Sequence, residues 1–331
     1  MSIRRSTPRS SPPDAGHRQH RAVARDARGV RARRGRAVAA RQASRPQTWD
    51  IDARRRARRA RQCADLDAVS RVFDFDRAIV RAPGRSAING LREGDGDAPS
   101  YEGVAAEHAA YVAALEDAGL SVEVLPPLED FPDSIFVEDP ALVIPEAAIL
   151  LRPGAPTRLG EAALLGPAFA GYFGEVPRLA VGCADGGDIL ITPTEILIGL
   201  SARTDATGAR ALAEMLESLG RVARIVETPP AVLHFKTACA LLDEETVFAT
   251  PALARSHVFG DVGVLETPAG EEAAANLLRV NDRILVGASY PRTIDLLASR
   301  GHSLVPLRVA EIARLDAGLS CMSLRWRSAA Q

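Results

Sequence analysis

The stretch LIGLSARTDATGARAL, residues 197–212, contains the unit that decides the fold. A run of aliphatic residues leads into a turn containing Ser, Thr, Pro or Gly, an Arg follows, and a helical pattern comes next. The same unit recurs as IVRAPGRS (79–86), ILLRPGAPTRLGEAAL (149–164), VFATPALARSHVF (247–259) and LVGASYPRTIDLLASR (285–300). Five copies at a spacing of roughly 40–70 residues predict an array of structural repeats.

Several copies follow a pattern typical of a β-hairpin with a polar turn, namely ILITPTEILIG, CALLDEETVFAT and LLRVNDRILVG. Open doubly wound sheets usually lack hairpins that repeat in this way. The sequence therefore predicts an α/β fold in which ββα-type modules form a closed radial array. In such an array the polar residues at strand ends converge near the common axis, where we expect the functional site.

The N-terminal region is strongly basic. Residues 1–62 hold nineteen Arg and four Asp, a net charge of +15, while the whole chain carries −1, so the remaining residues carry about −16. The basic region has almost no aliphatic periodicity and cannot bury enough apolar area to offset its ordering entropy. We therefore predict a disordered Arg-rich tail at 1–71, or upstream sequence translated from a misassigned start, and a folded domain at 72–328.

Composition disfavours several classes of protein. The acidic body suits a cationic small-molecule substrate and argues against nucleic acid as the main partner, except through the basic tail. No apolar stretch reaches the roughly 18–20 residues of a membrane span, and the N-terminus has no apolar secretory segment. Four cysteines without a CxxC pair predict neither a zinc site nor a disulfide framework, and they favour a reducing, cytoplasmic location.

Two residues could form a nucleophilic pair. Cys321, in LDAGLSCMSLRW, follows a Gly/Ser turn and precedes the final strand, whereas Cys239, in ACALL, resembles a structural cysteine. His234, in AVLHFKTACAL, lies in a predicted apolar strand, where a lone His is more often structural. A Cys and a distant His are the minimum for nucleophilic cysteine catalysis. Lys236 is the only lysine, which is typical of the codon bias of a GC-rich genome, so a solitary Lys carries little functional meaning by itself.

The motif FPDSIFVEDP concentrates acids among large apolar residues. It holds Asp133, Glu138 and Asp139, and we interpret it as a strand that ends at Pro140. Carboxylates beside large apolar side chains are costly unless a cation satisfies them. A solvated strand end remains an alternative explanation.

A second acidic motif is CADGGDILI, in which Asp185 and Asp188 flank a Gly-Gly turn that enters an aliphatic strand. Alone, this motif could be a plain turn. In combination with a Cys and a His, however, the acids favour attack on a cationic carbon. Paired carboxylates bind a planar guanidinium well, whereas they would oppose the developing oxyanion of an acyl transfer.

From about residue 76 to 326 the chain resembles the dimethylarginine dimethylaminohydrolase family of the guanidino-group-modifying superfamily. The matching stretches follow the family's order: NGL, FPDSIFVEDP, RPGAPTRLGE, DGGD, GLSARTD, LHFKT, YPRT and GLSCMS. Several of these strings are long and rare, so the match is specific, and the tail before Val72 has no counterpart. The resemblance implies a five-bladed α/β propeller of ββαβ modules, with 72–328 as the catalytic domain.

The resemblance also implies a role for each site residue. Cys321 would be the nucleophile, His234 the general acid/base and Asp185 the residue that orients His234. Glu138 and Asp139 would hold the guanidinium. The other implied contacts are Arg158 and Arg203 with the α-carboxylate, and Asp133, Asp316 and the backbone carbonyls of Leu91 and Leu315 with the α-amino group. The loop at 92–100 would be a lid over the site.

The implied reaction is hydrolysis of N-ω-methylated arginine, either asymmetric dimethylarginine or monomethylarginine, to citrulline and a methylamine through a covalent thiouronium on Cys321. No cofactor and no metal are implied, because the substrate brings its own positive charge, and the protein would be a monomer or a homodimer. Three alternatives stay open. They are an arginine deiminase or another amidino-group enzyme, a non-catalytic amino-acid-binding relative, and a nucleic-acid-binding protein led by its Arg-rich tail.

Overall fold

The computed structural model describes residues 72–93, 96–230 and 232–328, and the predicted tail at 1–71 lies outside them. Within the described residues the strands form five small sheets. The strands are β1 (Arg77–Arg81), β2 (Ser121–Leu125), β3 (Ala141–Ile144), β4 (Ala147–Leu150), β5 (Ile189–Ile191), β6 (Ile196–Leu200), β7 (Ala223–Glu227), β8 (Cys239–Asp243), β9 (Thr246–Ala249), β10 (Gly263–Glu266), β11 (Leu278–Val280), β12 (Arg283–Gly287), β13 (Ser303–Leu307) and β14 (Leu324–Trp326). The helices are α1 (Tyr101–Asp117), α2 (Glu161–Phe169), α3 (Ala206–Ser218), α4 (Pro251–Ala254), α5 (Pro291–Ser299) and α6 (Ala310–Ala313).

The unit predicted at 197–212 is complete in the sheet of β5, β6 and β7. β5 and β6 form an antiparallel hairpin, α3 follows, and β7 returns parallel to β6. α3 begins after Asp205, whose carboxylate accepts hydrogen bonds from two amides of the first turn. Leu212 and Leu216 of α3 are fully buried in the core beneath this sheet, and burial of each such side chain contributes about 1.5–3 kcal/mol.

The two ends of the described chain close one sheet. β14 pairs antiparallel with β1, with Trp326 opposite Arg77, and β1 pairs parallel with β2, with Arg77 opposite Ser121. α1 lies between β1 and β2 in the chain, and its side chains Tyr111 and Leu115 share a core with β12 of the neighbouring sheet. Backbone hydrogen bonds therefore join the first and the last strand of the described residues, and the loop before β14 leads directly into this pairing.

The other sheets repeat the plan with variations. β8 and β9 pair antiparallel and β10 returns parallel to β9, and β11, β12 and β13 follow the same order. The β3–β4 hairpin is completed by an isolated parallel bridge between Leu150 and Arg178. These sheets are the blades of the predicted five-bladed α/β propeller, which the structure confirms.

Two local predictions are wrong. FPDSIFVEDP is not a strand: it contains a 3-10 helix at Pro132–Ile135, and the strand β3 begins only after Pro140. Pro140 lacks an N–H, which suits a position before a strand as well as one after it. His234 does not lie in a strand either, because it precedes a 3-10 helix at Phe235–Thr237. Among the described helices, none combines the length and apolar character needed to cross a membrane.

Candidate active site

The predicted catalytic and guanidinium-binding residues occupy one recurring position, the loop before the first strand of a blade's hairpin. Glu138 and Asp139 lie before β3, and Asp185 lies before a 3-10 turn that leads into β5. His234 precedes β8 in the same way, and Cys321 precedes β14. Since the blades repeat, these loops meet: the amide of Glu138 donates a hydrogen bond to the carbonyl of Cys321 at 3.2 Å.

His234 is held by acids from two other blades. Its Nε2 lies 3.1 Å from Asp185 Oδ2. Burial alone would lower the pKa of His234, but Asp139, Asp185 and Asp188 outweigh it and raise the pKa to about 9. Gly187 packs against the imidazole, since a Cβ at this position would come within 2.9 Å of the ring. At neutral pH the imidazole therefore carries a proton that it can donate.

The Cys321 thiol lies in an environment that opposes its ionisation. Burial, and then the charges of Glu138 and Asp139, raise the pKa of Cys321 to about 11. Hydrogen bonds to the Gly318 backbone and to the Asn276 side chain act in the opposite direction. The thiol is therefore protonated at neutral pH unless a positive charge is brought beside it. By contrast, Cys239 is fully buried in the core, where its Sγ donates to the Phe235 carbonyl at 3.4 Å, which confirms its structural role.

Glu138 forms ion pairs with two cationic side chains, and the sequence analysis predicted neither contact. Its Oε1 lies 2.6 Å from Lys236 Nζ and 3.2 Å from Arg325 Nη2. Its Oε2 is buried and has no hydrogen-bond partner within the described residues. The sequence analysis gave the lone Lys236 little functional meaning by itself, and the structure shows that its ammonium fixes one oxygen of a buried carboxylate. A solvated strand end is wrong as an explanation of Glu138, which is 4% exposed.

Asp139 is bound to Arg158. The distance from Arg158 Nη1 to Asp139 Oδ2 is 2.5 Å, and Gly187 N donates to Asp139 Oδ1 at 3.0 Å. Although burial opposes ionisation, His234 and Arg158 hold the pKa of Asp139 below its ordinary value. Arg158 is itself buried and also binds Glu161 through Nε and Nη2. The guanidinium that was predicted to clamp a carboxylate of the substrate is thus already held by two acids of the protein.

The residues predicted to recognise an α-amino group border the start of the predicted lid. Leu91 N donates to Asp133 Oδ1 at 2.9 Å, and Glu93 N donates to Asp316 Oδ2. Asp316 adopts a positive φ of 53°, which Asp tolerates better than most residues, and Leu315 beside it is buried. Of the predicted lid at 92–100, residues 94 and 95 lie outside the described residues.

Arg203 is half-buried and lies close enough to Asp133 to lower the pKa of that carboxyl, although burial, the larger effect, raises it. Asp139, Asp185 and His234 also bring possible metal-ligand atoms within 4.8 Å of one another. Asp139 already binds Arg158, and Asp185 forms a hydrogen bond with His234. The charge of Asp139 also raises the pKa of His234. The spacing is therefore explained by an imidazolium between acids.

The structure also reveals residues that the sequence analysis missed. Besides Lys236 and Arg325 they include Glu161, which holds Arg158, and Asn276, whose Nδ2 lies 3.7 Å from Cys321 Sγ. A lone lysine in an Arg-rich chain was the only sequence feature that could have indicated one of them.

Comparison with known proteins gives consistent matches. A family model described as arginine deiminase matches residues 167–273. The N(G),N(G)-dimethylarginine dimethylaminohydrolase of Pseudomonas aeruginosa is 37% identical over 254 residues, which cover 76% of this chain and 100% of that protein. The protein of the same name from Streptomyces coelicolor is 35% identical over 258 residues, covering 76% and 97%. Among solved structures, DDAH from Pseudomonas aeruginosa, as a Cys-to-Ser mutant complexed with citrulline, has a TM-score of 0.74 at 38% identity and covers 76% of this chain and 100% of its own.

Proposed function

Because this chain belongs to the dimethylarginine dimethylaminohydrolase family, within the superfamily of arginine deiminases and amidinotransferases, we propose that it hydrolyses N-ω-methylated arginine to citrulline. The substrates are asymmetric dimethylarginine and monomethylarginine, and the second product is dimethylamine or methylamine. The observation that carries the proposal is the pair of buried carboxylates, Glu138 and Asp139. Together with burial, their charges raise the pKa of the Cys321 thiol, and each carboxylate forms an ion pair with a cation of the protein. Such a site favours a cationic carbon as the electrophile.

The guanidinium binds between the two acids. Oε2 of Glu138, buried and without a partner among the described residues, accepts a hydrogen bond from a substrate N–H. Asp139, fixed by Arg158 and Gly187, accepts another. The α-ammonium group of the substrate binds Asp133 and Asp316. It also donates to the backbone carbonyls of Leu91 and Leu315.

The α-carboxylate of the substrate meets Arg203, which is half-buried at the edge of the site. Arg158 contributes positive charge from behind Asp139 and holds that carboxylate in position. In this assignment Arg158 acts mainly through Asp139, which refines its predicted role as one half of a carboxylate clamp.

Substrate binding prepares the nucleophile. The guanidinium adds a positive charge beside Glu138 and Asp139, the two acids that raise the pKa of Cys321, and so it favours the thiolate. The thiolate attacks the guanidinium carbon and forms a neutral tetrahedral adduct. His234, which is protonated at neutral pH because its pKa is raised to about 9, gives its proton to the departing amine. A cationic thiouronium then remains on Cys321.

Hydrolysis of this intermediate reverses the proton transfer. His234, now neutral and oriented by Asp185 at 3.1 Å, takes a proton from water as the water oxygen attacks the thiouronium carbon. The carbon–sulfur bond breaks as the carbonyl of citrulline forms, the remaining hydroxyl proton passes to the leaving sulfur, and citrulline is released with Cys321 as the thiol. The citrulline ureido group is neutral, so it no longer offsets the charge of the two acids.

The test is citrulline release from asymmetric dimethylarginine and from arginine, for the wild type and for Cys321→Ser. Release from the methylated substrate that disappears in the variant is expected. A folded wild-type protein that releases citrulline from neither substrate would refute the proposal.

Deimination of arginine is a second candidate, favoured by the match of residues 167–273 to arginine deiminase. The same assay separates the two activities. Release mainly from arginine, with ammonia as the second product, would assign the chain to the deiminase reaction.

A further inference from the structure

Each blade carries a loop before the first strand of its hairpin, and four of these loops hold the residues assigned above. The fifth loop ends at Asn276, which follows a 3-10 helix at Glu272–Ala275 and precedes β11. Asn276 therefore occupies the position in its blade that His234 and Cys321 occupy in theirs. The repeat alone would place its side chain toward the same centre.

The contacts of Asn276 agree with that placement. Nδ2 of Asn276 lies 3.7 Å from Cys321 Sγ, and Oδ1 accepts a hydrogen bond from Ser320 N at 3.2 Å. The Ser320 contact fixes the orientation of the amide, because the flipped amide would place two donors against each other. Nδ2 must then face the sulfur. Gly318 makes the approach possible, since a Cβ there would lie 2.3 Å from Asn276 Cγ.

The charges around the sulfur disfavour the thiolate, so a hydrogen-bond donor to the sulfur would offset their effect. Glu138 and Asp139, which the proposed substrate requires, both disfavour a thiolate at Cys321, and burial adds to their effect. Within the described residues, the groups that can donate to the sulfur are the Asn276 side chain, the Gly318 backbone and, at 4.0 Å, the Ser320 hydroxyl. A neutral amide can stabilise the thiolate without repelling a cationic substrate, which a Lys or Arg at this point would do.

We propose that Asn276 is a further catalytic residue, which donates a hydrogen bond from Nδ2 to the Cys321 thiolate while its Oδ1 holds the Ser320 amide in the nucleophile loop. This inference rests on the proposed function in its assignment of Cys321 as nucleophile. It predicts that the donor at Nδ2, and not only the shape of the side chain, sets the reactivity of the sulfur.

Three variants, Asn276→Asp, Asn276→Ala and the neutral Asn276→Leu, test these two contributions. The Asp side chain has the same shape and keeps an acceptor for Ser320 N, but it replaces the donor by a carboxylate oxygen. Asn276→Ala removes both contacts. The measurement is the rate at which iodoacetamide alkylates Cys321 in the full chain between pH 6 and 10, followed by mass spectrometry of the Cys321 peptide. The charged groups that face the sulfur site, Glu138, Asp139, His234 and Lys236, are common to every variant, so a difference between the neutral variants and the wild type is assigned to residue 276.

We expect Asn276→Asp to slow alkylation at least tenfold at pH 8 and to move the pH midpoint upward by one unit or more, since one pKa unit corresponds to a factor of ten. Asn276→Ala should show a smaller change in the same direction. Asn276→Asp also brings a negative charge beside the sulfur, so the two neutral variants decide the role of the amide. Midpoints in Asn276→Ala and Asn276→Leu equal to that of the wild type would overturn the inference, whatever the change in the plateau rate.

The readout does not depend on turnover. If the wild type hydrolyses no guanidinium substrate but the neutral variants still raise the alkylation midpoint, the proposed function fails and the thiolate contact stands. If methylarginine is hydrolysed and the neutral variants match the wild type in alkylation midpoint and in kcat, the contact fails and the function stands. Thermal unfolding of all three variants identifies any loss of folding, and Asn276→Leu, which fills a similar volume, remains informative where Asn276→Ala does not fold.

Discussion

Replacing Lys236 with Met tests whether the ion pair at Glu138 is essential to the site. The Lys236 Nζ to Glu138 Oε1 distance is 2.6 Å, and the two side chains are 14% and 6% exposed, so solvent screens the pair little. Removing one partner of a buried pair typically costs about 3–5 kcal/mol. Because Arg325 still reaches the same oxygen at 3.2 Å, we expect a loss at the lower end, about 3 kcal/mol.

The assay is urea unfolding of the wild type, Lys236→Met, Glu138→Gln and the double variant at pH 7. If the pair is coupled as the geometry indicates, the double-variant cycle should give an interaction free energy of about 2 kcal/mol. Lys236→Arg, which keeps the charge, is the matched control. We also expect Lys236→Met to lower kcat/KM for dimethylarginine about tenfold, since Oε1 of Glu138 would lose the contact that orients the carboxylate and thereby aims Oε2 at the substrate.

An interaction free energy below about 0.5 kcal/mol would refute this reasoning, because it would place the pair among exposed salt bridges. A stability loss in Lys236→Met with unchanged kcat/KM would refute the catalytic half alone. In that case the ion pair would support the fold without fixing the guanidinium contact.

Four further outcomes are expected. The pKa of His234 is raised from 6.5 to about 9 on folding. Its contribution to the free energy of unfolding, about 3 kcal/mol, is therefore full below pH 6.5 and is lost as the pH rises toward 9. The urea midpoint of the wild type should fall across this range, and that of His234→Gln should fall less. Asp185→Asn should lower kcat about 10–100-fold by weakening a charged hydrogen bond to the imidazole, and it should move the basic limb of the pH–rate profile to lower pH. Cys239→Ala should keep kcat within about twofold and lower stability by about 1 kcal/mol, since Cys239 is a buried core residue. A chain that begins at residue 72 should keep its hydrolase activity, and any binding of the full chain to polyanions should disappear, which a filter-binding assay would detect.

The fold could be predicted because its information is local. Four of the five blades contain a hairpin with alternating or continuous aliphatic residues, followed by a turn and a helix, and these patterns lie within about 40 residues of one another in the chain. The hairpin predicted from CALLDEETVFAT is formed by β8 and β9, which pair antiparallel. The error at FPDSIFVEDP is equally local. Proline is compatible with either end of a strand, so Pro140 could not decide between them.

The site could be predicted only in part because its contacts cross between blades. The hydrogen bond from Arg325 to Glu138 joins residues 187 positions apart, and the contact from Asn276 to Cys321 joins residues 45 apart. Neither Arg325 nor Asn276 lies in an unusual motif, so composition gave no reason to select them. Lys236 stood out in the sequence, but its partner became evident only when the blades were placed around one axis.

The electrostatics of the assembled site make its reactivity conditional on the substrate. Glu138 and Asp139 raise the pKa of Cys321, and Asp139 also raises the pKa of His234, so the pair stands at neutral pH as a thiol and an imidazolium. A thiol is a weak nucleophile toward oxidants and alkylating agents, which protects it between turnovers. A bound guanidinium offsets the charge of the same two acids and thereby favours the thiolate, while His234 already holds the proton that the leaving amine requires. The neutral ureido group of citrulline cannot replace that charge. In the proposed reaction, the two acids thus both select the substrate and, once the positive charge has been consumed, return Cys321 to its unreactive form.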